Sequence, residues 1–90
     1  MHPDWKHLQN NTMAVQLSFL DVELKTGFTF ARLASTANDP DKISRNLMNA
    51  RKAHDAITGY LGNFPQQTPE TEGIRQKLRA LHEMIQMLEK

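Results

Sequence analysis

Ninety residues without a cysteine suit one small domain held by packing alone, because independent cores use on the order of 100 residues and neither a disulfide nor a thiolate metal site can be built. Eleven basic and ten acidic side chains leave a formal net charge of +1 and are interleaved without blocks of one sign, which argues against a dedicated nucleic-acid or anionic-membrane surface. A chain of this length buries only roughly 60 to 65% of the surface that its unfolded form exposes, so burial against a partner would add to a thin stability margin.

The first segment, MHPDWKHLQNN, has a proline, an acid and two histidines where an export signal needs basic residues followed by an apolar run. No apolar stretch approaches the roughly 18 to 20 residues that span a bilayer. The sequence therefore predicts a soluble, cytoplasmic protein with no membrane contact, in which the sequon at Asn10-Asn11-Thr12 is a chance match. Residues 1–12 read as a short N-terminal arm, with Thr12 as N-cap of a first long helix from about Met13 to about Ala37. If the arm is continuous with that helix, the start moves toward Pro3.

Along that helix Met13, Leu17, Leu20, Leu24, Gly27, Ala31 and Ala34 recur at steps of four and three, which keeps them on one face. A second apolar row, Val15, Phe19, Val22, Phe30, Leu33 and Ala37, lies well round the cylinder when each residue advances about 100°. The polar stripe left between them, from Ser18 and Asp21 to Arg32 and Thr36, is narrow. A helix apolar on so much of its circumference is either central in its own domain or covered in part by another chain.

Asn38-Asp39-Pro40-Asp41 breaks and restarts the chain: the residue before proline is pushed out of helical geometry, while proline suits the first helical position. Asp39 is the N-cap, and Asp41 favours the positive end of the helix dipole. The second helix carries the seam Ile43, Leu47, Ala50, His54, Ile57, Leu61 and ends at Gly62-Asn63, where a left-handed residue is expected, with Phe64 folding back onto the last turn. A polar connection, Pro65-Gln66-Gln67-Thr68-Pro69, leads to a third helix capped by Thr68. Its seam is Ile74, Leu78, Leu81, Ile85 and Leu88, with Met84 beside it and Arg75, Arg79, His82 and Glu83 on the opposite side. Gly73 lowers helix stability locally by about 1 kcal/mol relative to alanine, so fraying is expected in the first turns.

No alternating run with strand chemistry occurs, so the class is all-α. Short connections place successive helices side by side, which predicts an antiparallel up-down-up three-helix bundle over residues 13–90 with the short N-terminal arm ahead of it. Small residues at Gly27, Ala31 and Ala34 facing Ala50 and Ala53 predict a tight hairpin of the first two helices, closed from one side by the third.

A long-helix hairpin with a covering helix, and ARKAHDAITGYL in its second member, resembles the three-helix MIT domains and the tetratricopeptide hairpins in architecture, over most of Met13 to Lys90. Aligning Ala53 and Pro65 with the tetratricopeptide alanine and proline leaves that repeat's tryptophan, glycine and tyrosine positions empty, and there is no second copy. Helix length fits the MIT type better. That resemblance implies a module that binds short helical tails of partner proteins, and it carries over no particular binding residue.

Chemistry-bearing constellations are absent from the sequence. His82-Glu83 opens like a zincin motif, but Gln86 stands where the second histidine would be, so no metal site is expected. The four glycines are isolated, and no phosphate loop, nucleophile elbow or dinucleotide fingerprint occurs. An enzyme using His54 with Asp55 or Tyr60 is disfavoured because adjacent helical residues point about 100° apart. His54 reads as a histidine at the edge of the core, hydrogen-bonded to a neighbour. Lys42, Arg45, Arg51 and Lys52 form the densest basic cluster, bracketed by Asp39, Asp41 and Asp55, and read as a solvated face rather than a nucleic-acid site.

These features predict a non-enzymatic protein-interaction module without a cofactor, binding itself as a homodimer or another protein. Val15, Phe19, Val22, Phe30 and Leu33 are its candidate interface. The alternative is a bundle that holds a small apolar ligand among Met13, Met48, Met84 and Met87.

Overall fold

In the computed structural model, which describes residues 4–64 and 68–89 and side chains from Ala14 onward, three helices follow one another: α1 Asp4–Thr36, α2 Pro40–Gly62 and α3 Pro69–Leu88. No strand occurs among the described residues. The expected start at Met13 is corrected, since the backbone is already helical at Asp4 and Thr12 lies inside α1 rather than capping it. The arm and the helix are one element, because nothing between Asp4 and Met13 breaks a helix as Pro40 does further on. The connection expected at residues 65–67 and the Met13 side chain lie outside the described residues.

The α2 boundary follows its residues closely. Asp39 is extended, with φ −99° and ψ 122°, and its Oδ1 accepts a hydrogen bond from the Asp41 amide at 3.0 Å, with Pro40 in the first turn. The left-handed terminator expected at Gly62-Asn63 is not formed. No described residue has a positive φ, and Asn63 stays right-handed at φ −94° and ψ −5°. Instead the last turn tightens: the Asn63 amide donates to the Tyr60 carbonyl at 3.1 Å and the Phe64 amide to the Leu61 carbonyl at 3.2 Å. This turn folds Phe64 back against the core, as its position predicted.

At the start of α3, Thr68 and Thr71 cap each other. The Thr71 amide donates to Thr68 Oγ1 at 3.2 Å, while the Thr68 amide donates to Thr71 Oγ1 at 2.8 Å. Threonine here occupies the position usually held by Glu or Gln in such a box. A shorter side chain brings the reciprocal bonds close to the core, and Thr71 is 1% exposed. The helix runs unbroken through Gly73.

Two clusters fill the bundle. One joins Leu20 and Leu24 of α1 to Ile57 and Leu61 of α2 and Ile74 of α3. The other joins Ala31 and Ala34 to Leu47 and Ala50 and to Leu81 and Ile85. Early α1 therefore meets late α2 and early α3, while late α1 meets early α2 and late α3. That pairing is the up-down-up arrangement. Phe28 and Leu78 pack against both clusters and tie them together.

The small residues lie where the helices approach most closely. A Cβ placed on Gly27 would stand 3.3 Å from the Ala53 Cβ and 2.7 Å from the Leu81 Cδ2, so α1 uses its missing side chain to admit both neighbours. The molecule is nonetheless elongated, 59 × 21 × 15 Å, with a radius of gyration of 15.9 Å against about 12 Å for a compact chain of this length. The 33 residues of α1 against the 23 of α2 explain it. Ten further residues add about 15 Å of helix at the start of α1.

Candidate functional site

Two surfaces stand out, one apolar on α1 and one polar between α2 and α3. On α1, advancing about 100° per residue puts Val15, Val22 and Leu33 within about 20° of one another, with Phe19 about 40° to one side. Their exposures are 66%, 58%, 47% and 42% in the order Val15, Val22, Leu33, Phe19. Four of the five expected interface residues therefore form one exposed stripe. Phe30 does not join it: it is half-buried against the cluster of Ala31, Ala34, Leu47 and Ala50, because it lies on the flank of α1 that turns toward the core. Tyr60 of α2 extends the stripe instead, with its ring centroid 5.0 Å from that of Phe19 in a tilted pair. Tyr60 therefore stacks with α1 and does not partner His54.

Of the four methionines expected to line a ligand site, three have described side chains. Met48 and Met87 are 52% and 72% exposed, and Met84 is half-buried beside the core. None of the three lines either hollow of the α2–α3 groove.

The second surface was not anticipated. His82 is not at the back of α3 but on its flank, one residue and about 100° on from the buried Leu81, and there it meets His54 of α2. The two imidazole centroids are 5.1 Å apart with an interplanar angle of 34°. His54 is half-buried at the edge of the core as expected, and its Nδ1 lies 3.2 Å from Asp55 Oδ1. The contact forms although adjacent helical positions point about 100° apart, with the Asp55 carboxylate largely in solvent.

Around this pair the groove opens into two adjacent hollows. One, of about 400 Å³, is lined by His54, Thr58, Arg75, Leu78, Arg79 and His82. The other, about 170 Å³, shares both histidines and adds Arg51, Asp55 and Glu89 among its walls. The charges divide between them. Arg51 pairs with Glu89 across the smaller hollow, whereas no carboxylate lines the larger one. The Thr58 hydroxyl donates to the His54 carbonyl at 2.9 Å and so holds the α2 wall rather than pointing a donor into the space. Among the described residues no cluster of three or more His, Cys, Asp or Glu could hold a metal ion. Lys42, Arg45, Arg51 and Lys52 are all exposed on α2.

Comparison with known proteins finds no matching family model, no similar curated protein and no similar solved structure. No described helix is long and apolar enough to cross a membrane.

Proposed function

We propose that this chain is a non-enzymatic helical interaction module that pairs with a second copy of itself through the outer face of α1. The observation carrying the reading is the line of Val15, Val22 and Leu33, each about half or more exposed, with Phe19 and Tyr60 alongside. Isolated exposed apolar residues are ordinary on a protein surface, but a continuous stripe on one helix is not.

A second copy suits this stripe for two reasons. The stripe runs along one helix, so two α1 helices laid antiparallel bring the Val15 end of each to the Leu33 end of the other and cover both. The charges nearest the stripe are balanced, as in the Asp21–Lys25 pair at 3.3 Å, and the net charge of +1 gives two copies little reason to repel. Area sets the strength. The stripe from Val15 to Leu33, about 27 Å long and about 10 Å wide, offers roughly 300 Å² per copy, below the usual size of a stable interface, so the dimer is a weak, reversible one.

Sedimentation velocity from low micromolar to millimolar concentration tests it. The expected result is a concentration-dependent shift from monomer to dimer that Val22→Glu with Leu33→Glu removes while the helical circular dichroism stays unchanged. A parent chain that stays monomeric throughout, or a double variant that dimerises as the parent does, would sink self-association through this face.

A further inference from the structure

The larger hollow of the α2–α3 groove has a composition that the packing of the bundle does not require. Two guanidinium groups and two imidazoles converge on about 400 Å³ with Leu78 as an apolar wall. The volume is in the range that small ligands occupy, and a mostly apolar wall with a few converging polar groups is how such sites are built. Among the described residues only Asp55, beside His54, brings an opposite charge to this set. Among the described residues the ion pairs are Lys25 with Asp21, Arg51 with Glu89 and His54 with Asp55, so neither Arg75 nor Arg79 has a carboxylate partner.

Arg75 supplies the more specific sign. Its Nε is buried with no hydrogen-bond partner. A buried donor of a charged group is costly to leave unsatisfied, and a small shift of the Arg75 side chain would bring it to an acceptor in the hollow. On the same wall, His54 has its Nδ1 engaged by Asp55, which leaves Nε2 as the ring nitrogen available to a ligand. His82, ring to ring with His54, brings a second imidazole to the same place.

We infer that this hollow binds a small organic phosphate of the monoester type. The forked guanidinium groups of Arg75 and Arg79 match the oxygens of a phosphate, which accepts several charge-assisted hydrogen bonds at once. His82 can add a donor beside them, whereas His54, with its Nδ1 hydrogen on Asp55, donates through Nε2 only as an imidazolium; Leu78 meets the organic part. A phosphate satisfies this set better than a single carboxylate does, because its three terminal oxygens can accept from both arginines and an imidazole together. A nucleic-acid strand fits less well. The adjoining hollow carries Asp55 and Glu89, whose charges would oppose a polyanion running along the groove.

Two-dimensional NMR of the full chain tests the inference, with inorganic phosphate and phenyl phosphate as probes and sodium chloride and sodium acetate at matched ionic strength as comparisons. Expected are saturable shifts of the His54 and His82 ring signals and of the Arg75 Nε–H, stronger for phenyl phosphate than for phosphate, with acetate weaker than both. Arg75→Gln and Arg79→Gln should each weaken binding about tenfold or more, Arg75→Lys should weaken it less than Arg75→Gln, and Arg45→Gln on the exposed face of α2 should leave it unchanged. Arg79 is exposed, so its variant keeps the test valid even if Arg75→Gln perturbs the fold. Drift shared equally with chloride, or arginine variants that titrate as the parent does, would overturn the site. So would binding of a short single-stranded oligonucleotide with no response to either phosphate.

Discussion

Leu81 occupies the space that a side chain on residue 27 would need: its Cδ2 lies 2.7 Å, and its Cδ1 3.7 Å, from where a Cβ on Gly27 would stand. This contact sits between the two core clusters and fixes how closely α3 settles into the α1–α2 hairpin.

Gly27→Ala is therefore expected to destabilise the bundle even though alanine is the better helix former. Alanine contributes about 1 kcal/mol of helix propensity. Overpacking a filled core costs about 1–3 kcal/mol, and the Leu81 methyl that must shift is fully buried. The net loss should be about 1 kcal/mol by urea denaturation. Leu81→Ala alone should cost about 2–5 kcal/mol as a cavity. Combined with it, Gly27→Ala should become neutral or stabilising, because the clash partner is gone. Additive losses would show that the two residues are not coupled in this way.

Gly59 and Gly73 should behave in the opposite sense. Nothing lies within 4 Å of a Cβ built on either, and both sit inside helices with no positive φ to preserve. Each change to alanine is expected to stabilise by about 0.5–1 kcal/mol, a rise of several degrees in Tm for a domain of this size. Thermal unfolding followed by circular dichroism measures it. A fall in Tm for Gly73→Ala would mean that the first turns of α3 need glycine for a reason beyond open space.

The three helices, the Asp39 and Thr68 caps and the small-residue hairpin were legible in the sequence because each depends on neighbours within about a turn, or on periodicity along a single helix. The exposed stripe was legible for the same reason, and Phe30 was misassigned to it because its angle lies between stripe and seam, where only the position of α2 decides. The groove was not legible. His54 belongs to the α2 seam, and Arg75, Arg79 and His82 read as the polar side of α3. Their meeting depends on how α3 is rotated about its own axis, which the Gly27–Leu81 contact helps to set and no local pattern encodes. The α1 start was misplaced because Asn10-Asn11-Thr12 has capping chemistry without a breaker such as Pro40 to enforce it.

The threonine pair at the head of α3 should act as one unit. Thr71 Oγ1 accepts from the Thr68 amide at 2.8 Å and donates to the Thr68 carbonyl at 2.9 Å, with Thr71 itself buried. Thr71→Val keeps the shape but strands the Thr68 amide, while the Thr68 carbonyl keeps the Glu72 amide at 2.9 Å, and a loss of about 1–2 kcal/mol is expected. Thr68→Ala removes the other half of the box for about 1 kcal/mol. The double variant should lose clearly less than the sum, since either change alone already breaks the reciprocal bonds. A strictly additive cycle in denaturant would mean that the two threonines cap independently.

Val22 and Leu24, two residues apart on α1, separate the role of the stripe from that of the core. Leu24 is 2% exposed within the Leu20, Ile57 and Leu61 cluster, so Leu24→Glu buries an unpaired carboxylate and should leave no cooperative unfolding transition at room temperature. Val22 is 58% exposed, and glutamate there has slightly better helix propensity than valine. Val22→Glu should therefore change monomer stability by no more than about 0.5 kcal/mol at concentrations where the chain is monomeric. It should also remove the increase of Tm with protein concentration that mass action gives a self-associating parent. A Val22→Glu chain that unfolds as readily as Leu24→Glu would place residue 22 in the monomer's own core. A parent whose Tm is independent of concentration would remove the dimer from the account of why this face is apolar.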